Sequence, residues 1–148
     1  LMIKQLQLDL DNYPDQTSLF KKARELGVEV DKNAGRGKII DNIFKELIRP
    51  KLINPIFLIN HPVDLSPLAK RIPQRPNYVE RFQLIIAGME IVNAFSELND
   101  PLDQGRRFQE QQKLLEKGDE EAQRIDKDFL EAFEDVKFCR SKCHIGNP

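Results

Sequence analysis

Residues 82–86 and 90–98 form two β-rich runs separated by only Ala87-Gly88-Met89, a pattern that predicts a hairpin. A hairpin sets register, and register decides which side chains share a face. Strand side chains alternate, so Asn93, Phe95 and Glu97 in the run GMEIVNAFSELNDP are expected to point the same way. An acid, an amide and an aromatic make an unusual face for a surface meant only to pack. A half-buried carboxylate costs several kcal/mol unless a cation or hydrogen-bond donors meet it. An ammonium ligand fits that need, with Phe95 as the apolar wall for its alkyl stem. The plain alternative is the solvated face of an ordinary strand.

The rest of the chain bounds the class. At 148 residues and 17.2 kDa there is enough chain for one compact core and too little for two sizeable domains. Hydrophobic residues make up 40% and charged residues 32%, a globular balance. The formal net charge of -1 offers no broad basic face to nucleic acid. No apolar run reaches the roughly 18 residues of a membrane-spanning helix, so no membrane partner is expected. The start shows no basic-then-apolar leader, and two cysteines make no disulfide framework, so the cytoplasm is the expected location. Leu1 stands before Met2, as expected of either a cloning remnant or a cut from a longer chain.

Along the chain, residues 1–14 read as a short strand or extended arm. Thr17 or Ser18 is expected to cap a helix running to Leu26, with Gly27 as its stop. The polar loop DKNAGRG follows; Lys32, Arg36 and Lys38 could touch phosphate there, but GRGK lacks the pattern of a Walker loop, and a plain loop is the reading adopted. Residues 38–48 carry a wide apolar stripe and predict a packing helix, bracketed by Pro50 and Pro55. Residues 56–60 read as a buried strand and 63–66 as a second extended piece. After Pro101 the pattern turns helical, with a break at Gly118 and a second helix over about 119–133. Helices, a cluster of antiparallel strands, then helices describe an α+β fold.

Three blocks then act together: FLINHPVDLSPLAKR at 57–71, ERFQLIIAGMEIVNAFSELNDPLDQ at 80–104, and RRFQEQQKLLEKGDEEAQ at 106–123. In order and spacing they resemble the catalytic domain of class II lysyl-tRNA synthetases, with weaker similarity from about Leu19 to about Phe133. The resemblance implies a partial class II catalytic core, an antiparallel sheet with flanking helices. Residues 1–148 then form one partial domain: a helical lead-in to 55, strands over 56–100, helices over 101–134 and a divergent tail from 135 to 148.

The resemblance also implies chemistry: lysine is joined to ATP as lysyl-adenylate, and the lysyl group passes to tRNA. Positioning and charge neutralisation by Mg2+ would drive it, with no protein nucleophile. Carried over by position, Glu97 binds the substrate ammonium, Asn93 and Phe95 complete the lysine pocket, and Glu90 holds magnesium. Gln83 stands where many relatives have a glutamate; its amide oxygen can coordinate but removes one negative charge. Met89 stands where an arginine is common, and Glu80 reads as a surface acid. The three class-defining motifs of the family, which supply its dimer interface and the arginines on ATP, are not found in the 148 residues. The chain alone is therefore expected to form no adenylate, and pyrophosphate exchange tests that. The full-length family is a homodimer; the state of this chain is left open.

Other groups invite a role less strongly. His61 reads as a hydrogen-bonded turn residue, and Asp64 and Ser66 do not complete a triad with it. Lys70 and Arg71 are a phosphate or tRNA contact or a solvated pair. Cys139, Cys143 and His144 give a C-x3-C-H spacing, too few ligands for a strong zinc signal. Two readings compete with a lysine–tRNA ligase segment. One is an inactive shortened paralogue serving as a lysine- or nucleotide-binding or partner-docking module. The other is a related ligase that attaches lysine to a translation factor, which the helical pattern after residue 106 disfavours.

Overall fold

In a computed structural model of the chain, residues 2–116 and the single positions 118 and 128 are described. The chain divides into two compact units, Leu1–Glu97 and Leu98–Pro148.

The first unit opens with three helices. A short α1 (Met2–Leu6) and a single tight turn at Leu10–Asn12 replace the strand or arm expected for residues 1–14. Leu8 and Leu10 are buried, so the apolar alternation there marks core contact rather than a strand. Helix α2 (Gln16–Glu25) is capped by Asp15, whose carboxylate accepts from the Ser18 N–H at 2.9 Å. The cap therefore lies before Thr17 and Ser18, while Gly27 (φ +80°) ends the element as expected. Helix α3 (Arg36–Ile43) continues through a π turn at Phe44–Ile48 and a tight turn at Arg49–Lys51. Pro50 has no N–H for the helical ladder, which accounts for the change of pitch. Ile39, Ile40 and Ile43 of α3 join Leu19 and Ala23 of α2 in one core cluster.

Two contacts pin the start of α3. Arg36 ion-pairs with Asp64 and donates to the carbonyls of Tyr13 and Leu10 at 2.9 and 3.1 Å. Its guanidinium is committed inside the unit, and Arg36, Gly37 and Lys38 form the first turn of α3 rather than the plain loop expected there. Gly37 packs so tightly on the same turn that an added Cβ would sit 2.7 Å from the Asp64 carbonyl oxygen. Gly37→Ala is thus expected to lower stability by about 2 kcal/mol, the cost of overpacking against backbone. That outweighs the helix-propensity gain of about 1 kcal/mol. Urea unfolding measures it, and an unchanged or higher midpoint would contradict the packing.

The strands form a four-stranded antiparallel sheet: β1 (Ile56–Pro62), β2 (Arg71–Ile72), β3 (Arg75–Ile86) and β4 (Met89–Phe95). The long β3 lies in the middle, with β1 along one edge and β2 then β4 along the other. Residues 63–66 are not extended: Val63–Leu65 make a tight turn closed by the Ser66 N–H on the Val63 carbonyl at 3.0 Å. One face of the sheet packs Ile85 against Ile48 and Leu52, with Phe44, Leu47, Ile56 and Leu58 around them. On the other face Phe57 meets Phe82 edge to face at 5.9 Å, and Ile59 and Val92 are exposed. The expected α+β class, with an antiparallel sheet and flanking helices, is what the chain forms.

In the second unit, α4 (Pro101–Glu116) starts with proline at its first position and Asp100 accepting from the Leu102 N–H at 3.0 Å. Arg107 grips Asp103 one turn back at 2.6 Å. The helix expected over about 119–133 and the group Cys139, Cys143 and His144 lie outside the described residues. Among the described residues no helix is long and apolar enough to cross a membrane.

Candidate active site

The hairpin turn is two residues, Ala87 (φ 49°) and Gly88 (φ 73°), both left-handed as a tight two-residue loop requires. The tip is tied down by Arg49, whose Nε donates to the Gly88 carbonyl at 2.6 Å. From there the register decides the chemistry. Gln83 faces Asn93 and Leu84 faces Val92, but Ile85 faces Glu90. Ile91 is therefore an extra residue, a β-bulge. In an unbroken strand Glu90 and Asn93 would point to opposite faces. The bulge brings Glu90 round to the face of Gln83 and Asn93, where the Gln83 Nε2 donates to a Glu90 carboxylate oxygen. Register shift, not composition, assembles this pair.

Arg81 organises the same face. Its Nε donates to Asn93 Oδ1 at 3.0 Å, and its Nη1 to the Leu65 carbonyl at 3.0 Å and Ser66 Oγ at 2.7 Å. Phe95 is the residue directly across the ladder from Arg81, so it shares that face. Burial pushes the Arg81 guanidinium below its usual range, opposed by Glu90 and Asp41. Glu97 behaves differently. Strand β4 stops at Phe95, Glu97 makes only a single bridge with Ala69, and its side chain is exposed rather than half-buried. Its carboxylate has no partner among the described residues.

A cavity of about 320 Å³ lies between the sheet and the α3–π-turn segment. Gln83, Glu90, Arg81, Arg49 and His61 line it, with Asp41 and Lys45 from the helical side. Asn93 reaches it only through Arg81; Phe95 and Glu97 are not part of its wall. Among the described residues there is no cluster of three or more His, Cys, Asp or Glu that would hold a metal alone. Magnesium, however, is usually held by one or two carboxylates, with substrate phosphates and water supplying the rest. Glu90 with the amide oxygen of Gln83 fits that partial role.

His61 is 5% exposed and belongs to β1, not to a turn. It follows Asn60, which takes a left-handed conformation (φ 55°) at an irregularity in the β1–β3 ladder. Burial foremost, then the Arg81 charge, lowers the His61 pKa from 6.5 to about 4. The unfolded chain therefore binds a proton that the folded chain refuses between those values, so stability is full above pH 6.5 and falls as pH drops toward 4. The expected loss is about 3 kcal/mol across that window, absent in His61→Phe. Unfolding midpoints of both chains at several pH values check this; parallel pH curves would contradict it.

Comparison with known proteins follows the same blocks. The profile of the class II tRNA synthetases (D, K and N) matches residues 5–137. The chain belongs to that family. It is 52% identical over 132 residues to the lysine–tRNA ligase of Thermotoga sp. (strain RQ2), covering 88% of this chain and 26% of that relative. With the lysine–tRNA ligase of Roseiflexus sp. (strain RS-1) the identity is 50% over 125 residues, 84% of this chain and 26% of the relative. The lysine–tRNA ligase of Christiangramia forsetii is 50% identical over 119 residues, 80% of this chain and 21% of its own length. The chain thus spans about a quarter of the length of these class II relatives.

Within this class II segment, sequence reasoning named Gln83 and Glu90, which the fold joins, and Asn93 and Phe95, which share their face. It missed Arg81 as the organiser. The available signal was a cation inside the apolar run RFQLII, two residues from Gln83 and so on its side of the strand. It also missed that His61 is a wall residue.

Proposed function

We propose that this chain is a segment of a lysine–tRNA ligase catalytic domain, contributing the lysine pocket and part of the ATP and magnesium site. The observation that carries the reading is the bulge at Ile91, which places Glu90 beside Gln83 on the face that also bears Asn93, Phe95 and Arg81. A solvated strand has no reason to gather an acid, an amide and a cation around a cavity, with a second amide held by that cation. The relatives named lysine–tRNA ligase support the substrate.

In this reading Glu97 receives the ammonium of lysine, Phe95 lines its alkyl stem, and Asn93, fixed by Arg81, orients the amino acid. Glu97 is exposed in this quarter-length segment; the reading requires it to be enclosed in the complete site. An enclosed, unpaired Glu97 would then discriminate against neutral side chains. Glu90 and Gln83 would hold Mg2+ together with the phosphates of ATP, and the ion would supply charge neutralisation there. Transfer to tRNA, cytoplasmic location and a homodimer in the complete enzyme belong to the same proposal. The test is a chimera in which residues 5–137 replace the matching quarter of a lysine–tRNA ligase. Lysine-dependent pyrophosphate exchange is expected to survive; a folded chimera without it overturns the reading.

A further inference from the structure

The cavity has unequal demands for donors and acceptors. Its cations are committed: Arg81 to Asn93, Leu65 and Ser66, Arg49 to the Gly88 carbonyl, Lys45 to Asp41 at 2.6 Å. Its acceptors are less so. The ring of His61 bonds the Leu58 backbone, and its Nε2 is buried with no partner among the described residues. Since Nε2 is the unpartnered atom, the Leu58 bond belongs to Nδ1, which therefore carries the hydrogen and leaves a lone pair on Nε2. A buried acceptor without a donor is costly, of order 1–3 kcal/mol. Such a group is retained where something else supplies the donor.

We propose that His61 Nε2 accepts a hydrogen bond from an N–H or O–H group of a small ligand seated in this cavity, making His61 a binding residue. Two sources offer that chemistry: the ammonium of an amino acid, or a hydroxyl or amino group of a nucleoside. About 320 Å³ is at the lower end of ligand pockets and suits a molecule of either size. His61 lies outside the residues assigned to lysine or magnesium above. The inference rests on the reading of this sheet face as a substrate site, and it adds an anchor at the end of the cavity formed by β1.

The experiment is nitrogen NMR of the histidine ring in the 148-residue chain, titrated separately with L-lysine and with adenosine, while the side-chain amides of Asn93 and Gln83 are followed in the same samples. The expected result is that one ligand moves the Nε2 signal in the direction of an accepted hydrogen bond, saturably, with the hydrogen still on Nδ1. His61→Phe is expected to weaken that ligand about tenfold, and His61→Gln, which restores an acceptor, to recover part of the loss. If a ligand shifts the Asn93 or Gln83 amides but leaves Nε2 unmoved, or a bound water stays on Nε2 at saturation, the inference fails and the substrate-site reading stands. If neither ligand shifts any of these signals, the inference fails, and pyrophosphate exchange in the chimera decides the substrate-site reading by itself.

Discussion

Glu90→Ala in the chimera is expected to lower kcat/KM for lysine-dependent pyrophosphate exchange by about three orders of magnitude, some 4 kcal/mol of transition-state stabilisation. The size follows from what Glu90 does alone. Gln83, its partner across the bulge, brings an amide where many class II relatives were expected to carry a second acid, so Glu90 holds the pair's whole negative charge. In the proposed role, its removal would leave one neutral oxygen for a divalent ion, and the phosphates would lose their neutralising partner. Glu90 is exposed and contributes little to folding, so the loss is expected in activity while the unfolding midpoint stays in place. A variant retaining more than about a tenth of the activity would remove Glu90 from the site.

Arg81→Met is the largest expected change in stability, about 4 kcal/mol. The guanidinium holds three acceptors from two places, Asn93 on β4 and Leu65 with Ser66 on the turn after β1. It is partly buried, so its bonds to Leu65 and Ser66 are charge-assisted and partly shielded from water, while the bond to Asn93 is exposed. Arg81→Lys should recover less than half of the loss, because a single ammonium cannot span the fork. Urea unfolding of the 148-residue chain measures both variants; a cost below about 1 kcal/mol for the methionine would show that Arg81 is not the organiser.

How far the fold could be read from sequence depended on the range of the interaction. The stripe of Ile39, Ile40 and Ile43 and the glycine after α2 are local signals, and both gave the right element. The Asp15 cap was misplaced by two or three residues because Thr17 and Ser18 are cap formers too, and only the backbone shows which side chain reaches the free N–H. Residues 63–66, set between Pro62 and Pro67, were read as extended, but the Ser66 N–H closes a turn instead. At the site, Gln83 and Glu90 were named from family resemblance, yet nothing in the local pattern places them on one face. Parity alone sends Glu90 away from Asn93, and the reversal comes from pairing with β3, a property of two strands. His61 was hidden for a related reason: its burial depends on the helical layer folding over β1, which no window around residue 61 contains. Glu97 is the open position, since strand parity continued past Phe95 while the strand itself does not.

Glu97→Gln in the chimera probes the proposed lysine site most directly. With the ammonium's carboxylate replaced by a neutral amide of the same shape, KM for lysine in pyrophosphate exchange is expected to rise by about a hundredfold while KM for ATP stays within about twofold. An unchanged lysine KM in a folded, active Glu97→Gln chimera would mean that the substrate ammonium is received elsewhere, and the account of this sheet face would be wrong.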